Sequence, residues 1–271
     1  MAKEKYMKVI TLASGSKGNC TLIATDTTKI LVDQGLTLID AETRLKAINV
    51  DPSEIYAIVV THEHSDHIKG VGTFARKYGC YVVANQAEWE VLDKKLGKLD
   101  EIQKIKYNSP NFYLKDLTVC AFRLSHDAHT CFGYSFYNQG YKISIATDFG
   151  VPSKQILENL KDSNVLILEA NHDENLLLNN PKYSSMLKQR ILSSKGHISN
   201  KTCAHIIGEI FSTNLKQVIL AHLSEENNTP QLAYDTVKSE LLKYGIIEGK
   251  HIYVDVAMQH SIGHLFDLKS H

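Results

Sequence analysis

The sequence has no apolar run near the ~18 residues needed to span a bilayer, and no apolar segment follows the charged residues 1–5. We therefore expect neither a membrane anchor nor a secretion signal. Net charge is also absent, because 30 Lys and Arg balance 30 Asp and Glu. The whole molecule then has no electrostatic attraction to nucleic acid, so a nucleic-acid substrate would need a local basic surface.

Cysteine is scarce and scattered. The five cysteines form no CxxC pair: Cys20, Cys80, Cys120, Cys131 and Cys203. This argues against a disulfide framework and against a zinc-finger spacing, and we expect small core residues. Together these absences predict a cytoplasmic protein.

The composition is that of a soluble globular protein, with 43% hydrophobic and 22% charged residues. A chain of 271 residues is long enough to bury a sizeable core without disulfides or metals as staples. No repeat or low-complexity linker interrupts it, so the sequence predicts one domain over residues 1–271.

Apolar runs and helical spacings alternate along the chain. Strands are predicted at 8–13, 20–24, 29–32, 55–60, 80–84, 117–124, 132–137, 141–147, 165–168, 218–221, 251–254 and 262–266. Helices are predicted at 38–48, 68–78, 153–160, 182–192, 201–211 and from Thr229-Pro230 onward. Interleaved strands and helices in this order predict an α/β protein built as an αββα sandwich.

Histidine is abundant, at 13 residues, and one segment concentrates it: His62-Glu63-His64-Ser65-Asp66-His67. His62 and His64 point the same way on an extended segment. Four ligand-type residues in six can hold two metal ions, and imidazole with carboxylate suits zinc, manganese or iron. The alternative is a polar helix cap with incidental histidines. The position directly after a buried strand favours the metal site.

Three further candidate ligands each end a predicted strand: His126, Asp148 and His222. Strand ends meet at one edge of a sheet, where α/β proteins place their sites. An ordinary polar loop residue is the alternative for each one taken alone. Their shared placement favours ligands.

The order Asp33, His62-x-His64-x-Asp66-His67, His126, Asp148, His222 resembles the motifs of the metallo-β-lactamase superfamily, from about residue 8 to 225. The resemblance implies a four-layer αββα sandwich. It also implies one metal on His62, His64 and His126, another on Asp66, His67 and His222, and Asp148 bridging them. Asp33 resembles the family's buried aspartate that orients ligands. At the position of His64, the flavodiiron oxygen reductases of this fold carry Glu. The histidine here therefore resembles the zinc-dependent hydrolases.

Several segments resemble the YycJ/WalJ subfamily in particular. They are Leu12 to Asn19, Asp33-Gln34-Gly35, Ser125 to Ala128, Glu169 to Asp173, Lys195 to Asn200 and Ala221 to Ser224. This resemblance implies a 5′-to-3′ DNA exonuclease linked to DNA repair. Glu169-Ala170 and His197-Ile198-Ser199 also resemble elements of tRNA 3′-processing endonucleases and cyclic-phosphate phosphodiesterases, although the sequence departs from that pattern at Ile198.

The chemistry expected from this resemblance is phosphodiester hydrolysis by a two-metal-activated hydroxide. Two divalent ions are expected, zinc or manganese, with iron possible. Asp66 is expected to orient the hydroxide, and His197, held by Glu169, to protonate the leaving oxygen. His197 has an alternative as a polar residue before a helix capped by Ser199. His172 either competes for the acid role or faces solvent.

Other functions stay open at this point. A small-molecule hydrolase of cyclic phosphodiesters or of thioester and other acyl substrates is one, and a non-catalytic nucleic-acid-binding module is another.

The loop Ser14 to Asn19 is either a plain hairpin turn or a phosphate contact. A basic stretch either contacts DNA or is a solvated helix face: Lys182, Lys188, Arg190, Lys195 and Lys201. The oligomeric state is not predicted.

Overall fold

The computed structural model describes residues 6–269. Its strands are β1 Tyr6–Ala13, β2 Cys20–Ala24, β3 Lys29–Val32, β4 Ala57–Val59, β5 Tyr81–Asn85, β6 Lys104–Tyr107, β7 Asn111–Leu114, β8 Leu117–Arg123, β9 Phe132–Asn138, β10 Tyr141–Ala146, β11 Val165–Glu169, β12 Gln217–Ala221, β13 Tyr253–Val256 and β14 Phe266–Lys269. Its helices are α1 Leu38–Ala47, α2 Ser65–Ile68, α3 Val71–Tyr78, α4 Trp89–Lys95, α5 Lys154–Leu160, α6 Glu174–Asn179, α7 Ser185–Ile191, α8 Asn200–Ile210 and α9 Pro230–Leu242.

The strands of residues 6–269 form two seven-stranded sheets. The order in the first is β14-β1-β2-β3-β4-β5-β6, and in the second β13-β12-β11-β10-β9-β8-β7. Both are mixed: β3, β4, β5 and β6 run parallel, as do β10, β11, β12 and β13. The parallel strands bring their carboxyl ends to one edge of each sheet.

The two sheets pack face to face, and helices cover their outer faces. Alternate residues of a strand serve different layers: Val59 packs between the sheets, whereas Ile58 packs under the helices that carry Leu45 and Phe74. A third cluster joins α5, α8 and α9 to the second sheet. Strands buried on both faces read as continuous apolar runs, and the predicted αββα sandwich is confirmed.

Several predicted elements need correction. The helix predicted at 68–78 is two helices, because α2 begins at Ser65 and Gly70 separates it from α3. A Cβ at Gly70 would lie 2.2 Å from the Leu36 carbonyl oxygen. The helix predicted at 182–192 is the shorter α7, capped by the Ser184 hydroxyl, which accepts from the Leu187 N–H. The last strand is β14 instead of 262–266. The sequence did not predict α4, α6, β6 or β7.

Other expectations on composition have mixed outcomes. Four cysteines are buried as predicted, but Cys120 is only half-buried. Thr229 caps α9 with Pro230 in its first turn, as predicted. Across residues 6–269, no helix has both the length and the apolar character that crossing a bilayer requires. The charged segment 1–5 lies outside the described residues.

Candidate metal centre

The histidine motif begins three residues after the end of β4. His64 is the N-cap of α2, so Asp66 and His67 lie in the first turn of a helix. His62 and His67 are fully buried, and their ring centroids lie 4.1 Å apart. His64 lies 4.6 Å from His62, ring to ring. The strand-to-helix junction thus gathers the motif's side chains on one side of the chain.

The strand-end residues converge on the same place. The His126 ring lies 5.2 Å from that of His62, and the His222 ring lies 5.8 Å from that of His67. Asp148 sits among them, with Oδ2 3.2 Å from Nε2 of His67. The structure therefore brings together all seven residues that the sequence predicted as ligands.

Their potential ligand atoms form overlapping groups, within 4.8 Å of one another in each group. The groups are His62, His64 and His126; Asp66, His67 and His222; His62, His67 and Asp148; and Asp148, Glu169, His197 and His222. Side chains of this kind, at this spacing, are positioned for metal binding.

Unpartnered atoms support the fit to a metal. Nε2 of His62 is buried and makes no hydrogen bond, and Oδ2 of Asp148 is buried with no partner beyond its 3.2 Å contact with Nε2 of His67. A buried polar atom without a partner costs free energy, and such atoms call for an explanation. A cation bound between these side chains supplies the missing interaction.

A second layer of hydrogen bonds orients the imidazoles. Asp33 accepts a hydrogen bond from Nδ1 of His67 at 2.7 Å and from the Thr61 hydroxyl at 2.8 Å. The Thr61 oxygen lies 3.0 Å from Nδ1 of His62, and Nδ1 of His126 lies 3.1 Å from the Lys195 carbonyl oxygen. With Nδ1 occupied, each ring is left with Nε2 for a metal ion. Asp33 thus has the orienting position that the resemblance implied.

Backbone conformation is unusual at three of these positions. Asp33, Asp148 and His222 have φ of 58°, 66° and 55°. Left-handed backbone is uncommon for residues other than glycine and concentrates at functional sites. Each lies within two residues of the end of a strand, so the turn of the backbone aims the side chain across the sheet edge. No sequence signal predicted this conformation.

The electrostatics of the cluster are strongly coupled. Burial, together with the neighbouring His67 charge, lowers the pKa of His62 well below its usual value. Burial alone would raise the pKa of Asp148, but the charges of His222 and His67 hold it well below its usual range. For His222, burial is outweighed by Asp148, Asp66 and Glu169, which raise its pKa to about 10. Without a metal ion, protonated histidines balance these carboxylates.

Glu169 connects the centre to His197. Its Oε1 lies 2.7 Å from Nδ1 of His197 and 3.1 Å from Nδ1 of His222, and its Oε2 accepts from the backbone N–H groups of Phe149 and Ile198. The sequence predicted the contact with His197 and missed the one with His222. Ser199 does cap α8, so His197 both precedes a capped helix and contacts Glu169.

His172 is not at the surface. It is 1% exposed, so the alternative that it faces solvent is wrong. Neither ring nitrogen has a hydrogen-bond partner.

The loop Ser14 to Asn19 supports the cluster. The Ser14 hydroxyl accepts from the His222 backbone N–H at 2.8 Å, and the Asn19 amide donates to Oδ2 of Asp66 at 3.2 Å. The sequence missed this supporting role of Asn19. Its only signal was a polar loop directly after a buried strand.

A cleft of about 230 Å³ opens onto the centre. Asp66, Asp148, His197, His222 and Arg190 are among the residues that line it. Two other members of the predicted basic stretch are engaged elsewhere: Lys182 pairs with Glu226 at 2.7 Å, and Lys188 donates to the Leu178 carbonyl oxygen at 2.7 Å.

Comparisons with known proteins agree with this geometry. The family model described as the metallo-beta-lactamase superfamily matches residues 13–182. Over 240 residues the chain is 36% identical to a Bacillus anthracis protein named exodeoxyribonuclease YycJ, covering 88% of this chain and 90% of that one. Over 233 residues it is 38% identical to exodeoxyribonuclease WalJ of Streptococcus pneumoniae serotype 2, covering 85% and 86%.

Among solved structures, the metallo-beta-lactamase fold protein YhfI from Bacillus subtilis aligns with a TM-score of 0.71. The alignment covers 97% of this chain and all of that chain at 16% identity, which shows the fold alone. The family resemblance seen in the sequence is confirmed, and this protein belongs to the metallo-β-lactamase superfamily of hydrolases, in the group of YycJ and WalJ.

Proposed function

We propose that the chain is a two-metal phosphodiesterase that degrades DNA from a 5′ end. His62, His64 and His126 would hold one divalent ion and Asp66, His67 and His222 the other, with Asp148 between them. Imidazole and carboxylate donors suit zinc or manganese, and iron is possible. Such ions, when bound, supply positive charge beside a phosphate and lower the pKa of water toward about 7.

The pairing of His197 with Glu169 carries the proposal. Burial lowers the pKa of His197, but the carboxylates of Glu169 and Asp148 outweigh burial and raise it above its usual value. This pairing therefore favours the protonated form of His197. Its Nδ1 is committed to Glu169, which leaves Nε2 as the donor toward a group in the cleft. Departure of an alkoxide from phosphorus needs such an acid.

Asp66 serves the attacking side. Oδ2 of Asp66 lies 3.4 Å from Nε2 of both His67 and His222, and the Asn19 amide holds the same oxygen. Asp66 is thus fixed at the mouth of the cleft, where it can orient a water molecule. Asp148 is almost fully buried, so its proposed role is to hold the metal ions only.

DNA as the substrate rests on the relatives. YycJ of Bacillus anthracis and WalJ of Streptococcus pneumoniae are both named exodeoxyribonucleases, and exonuclease action on DNA would fit a role in repair.

The proposed location is the cytoplasm, because scattered, unpaired cysteines fit its reducing environment. We also propose that residues 1–271 form one domain, since both sheets share one core; residues 1–5 and 270–271 lie outside the described part.

The test is degradation of end-labelled DNA by protein loaded with zinc or manganese. A 5′-labelled strand should release labelled mononucleotides or short oligomers early, and a chelator should stop the reaction. Uniform internal cleavage would contradict the exonuclease mode. Turnover of a thioester without cleavage of any DNA, RNA or bis(p-nitrophenyl) phosphate would instead make the chain an acyl hydrolase.

A further inference from the structure

Arg190 is the one Lys or Arg among the described residues that line the metal-centre cleft. Three carboxylates line the same cleft: Asp66, Asp127 and Asp148. An anionic substrate entering this cleft needs cations beyond the metal ions, and Arg190 offers a guanidinium there. Guanidinium binds phosphate oxygens through paired N–H donors.

Helix α7 presents Arg190 to the cleft together with two apolar neighbours. Leu187, Arg190 and Ile191 are spaced i, i+3 and i+4, so they share one helix face, and all three line the cleft. No residue of α7 is buried. A helix that contributes nothing to the core, yet turns one face to the site, is suited to substrate contact.

The end of α7 is tied to the residues of the centre. The Ile191 carbonyl oxygen accepts from the backbone N–H of His197 at 2.9 Å. The Lys195 carbonyl oxygen accepts from the backbone N–H of Asp127 at 3.1 Å. Gly196 allows the close approach, because a Cβ there would lie 2.0 Å from the Ile191 oxygen. The position of Arg190 is thereby held relative to His126 and His197.

In this structure Asp127 holds the guanidinium. Nε and Nη2 of Arg190 both lie 2.5 Å from Oδ2 of Asp127, while Oδ1 of Asp127 lies 3.4 Å from Nε2 of His126. The Arg190 side chain is 64% exposed, and an exposed ion pair of this kind contributes little to stability. The pair can therefore open at small cost when a competing anion arrives.

We propose that Arg190 is a phosphate-binding residue that Asp127 holds until substrate displaces it. The carboxylate of Asp127 stands between the guanidinium and His126, so Arg190 reaches a phosphate next to the scissile one. This inference rests on the proposed phosphodiesterase function and adds to it a subsite for the neighbouring phosphate of a nucleic-acid strand.

Two substitutions with opposite expected effects test the subsite. Arg190→Gln removes the cation and should weaken binding of a 5′-phosphorylated single strand about tenfold, the usual size of one charge-assisted contact. Asp127→Asn releases Arg190 and removes a negative charge that repels the phosphates of the strand, so it should tighten binding of the strand. A merely structural ion pair would make both variants behave alike. Lys77→Gln is the matched control, since Lys77 pairs with Glu42 at 2.7 Å and does not line the cleft.

Binding is read by fluorescence anisotropy of a 3′-labelled strand with the full-length protein and no added metal ion, so the readout does not need turnover. Arg190→Gln should also lower the slope of log Kd against log salt by about 0.7, the loss of one phosphate contact on a single strand. Lys77→Gln should leave the slope as it is in the wild type. An Arg190→Gln protein that binds like the wild type, or an Asp127→Asn protein that binds more weakly, would overturn the subsite.

Kinetics with the metal-loaded enzyme separates the subsite from the proposed function. Arg190→Gln should raise KM for the oligonucleotide more than KM for bis(p-nitrophenyl) phosphate, which has one phosphate only. Equal increases for both substrates would contradict a neighbouring-phosphate subsite. A wild-type chain that binds the strand through Arg190 but cleaves no phosphodiester would overturn the function and leave the subsite standing. A chain that neither binds nor cleaves would overturn both.

Discussion

Asp148 contacts histidines of both proposed metal sites. Its Oδ1 lies 3.5 Å from Nε2 of His222 and 3.8 Å from Nε2 of His126, while Oδ2 faces His67. Its φ of 66° shows that the backbone turns to place it there. His197 stands beside the cluster and contacts the same carboxylate only at 3.8 Å. The two side chains should therefore fail in different ways.

Asp148→Asn should lose most of its bound metal, because the amide removes the negative charge shared between the two sets of histidines. His197→Ala should keep its metal and lose about 10²–10⁴-fold in turnover, the usual contribution of a general acid. Elemental analysis of the purified proteins and initial rates on DNA measure both effects. His205→Ala, at an exposed histidine of α8, is the control. A His197→Ala protein without metal would refute the acid role.

The residues that the sequence predicted as ligands lie together in the structure, whereas most of their supporting partners were not predicted. Short spacing and strand ends pointed to His62, Asp148 and His222, because these signals are local. The contact of Glu169 with His222 joins residues 53 positions apart, and that of Asn19 with Asp66 joins residues 47 apart. Pairings of this kind depend on how strands are ordered in the sheets, which one sequence does not state.

At the scale of elements, helix α4 is joined to the metal motif by two carboxyl groups. Glu88, just before α4, accepts from the Thr130 hydroxyl, and Glu63 accepts from the His129 backbone N–H at 3.0 Å. Oε1 of Glu88 and Oε2 of Glu63 are buried without another partner. Burial, together with the Glu63 charge, raises the pKa of Glu88 to about 8.

Glu88→Gln should make stability less sensitive to alkaline pH. The folded protein keeps a proton on Glu88 up to about pH 8, whereas the unfolded chain releases it near pH 4.5. The folded state therefore binds more protons between these values, and stability falls as pH rises through that window. The amide cannot ionise, so at about pH 9 the variant should gain on the order of 4 kcal/mol relative to the wild type, compared with pH 5.

Chemical denaturation at both pH values measures the difference. Glu90→Gln, at the exposed neighbouring turn of α4, should show the same pH dependence as the wild type. A Glu88→Gln protein that loses stability at alkaline pH in parallel with the wild type would show that Glu88 is ionised throughout.

The turn after β3 and helix α2 approach each other too closely for a side chain. A Cβ at Gly35 would lie 1.7 Å from the Asp66 carbonyl oxygen and 2.9 Å from the Asn19 backbone nitrogen. Gly35→Ala should push Asp66 out of place, lowering metal affinity and destabilising the fold by about 1–3 kcal/mol or more, as overpacking does. Isothermal titration with metal ions and thermal melting measure both.

Gly79→Ala is the matched control for Gly35→Ala. Gly79 has φ of +69°, and no atom lies within 4 Å of its added Cβ. It should lose stability by about 1 kcal/mol from backbone strain, with metal affinity retained. Equal metal affinity in the two variants would mean that the approach of the turn to Asp66 does not position this ligand.

Elements buried on both faces were predicted well, and exposed ones poorly. The strands β2 and β3 have the predicted bounds, because their apolar runs are bounded by turn residues. The missed strands β6 and β7 lie at sheet edges and carry exposed polar residues such as Lys106 and Asn111. An edge strand forms because a neighbour offers its backbone, and composition does not reveal that. The break in the predicted helix at Gly70 likewise depends on a distant carbonyl group.

For the whole molecule, the centre lies where the two sheets meet, so metal binding and folding should be linked. The proposed ligands follow the ends of β4, β8, β10 and β12, which belong to both sheets. The unfolded chain does not hold these side chains together, so ions bind the folded state in preference. A free ion concentration about 100 times Kd then adds about 2.7 kcal/mol to the free energy of unfolding.

This stabilisation should grow as pH rises. In the metal-free protein the carboxylates raise the pKa of His222 to about 10 and raise that of His67 as well, so the protonated form of both rings is favoured. A metal ion needs the neutral imidazole and must displace these protons, which is harder at low pH. His62, with its lowered pKa, is already neutral and adds no such dependence.

The gain in Tm from zinc or manganese, measured against protein in chelator at the same pH, should therefore be larger at about pH 8.5 than at about pH 6. Subtracting the chelator value removes every titration that does not involve the metal. Asp148→Asn should show little gain at either pH, because the shared carboxylate is gone. A gain that is equal at both pH values would mean that the ions bind without displacing protons from His67 and His222, and hence away from the seven-residue cluster.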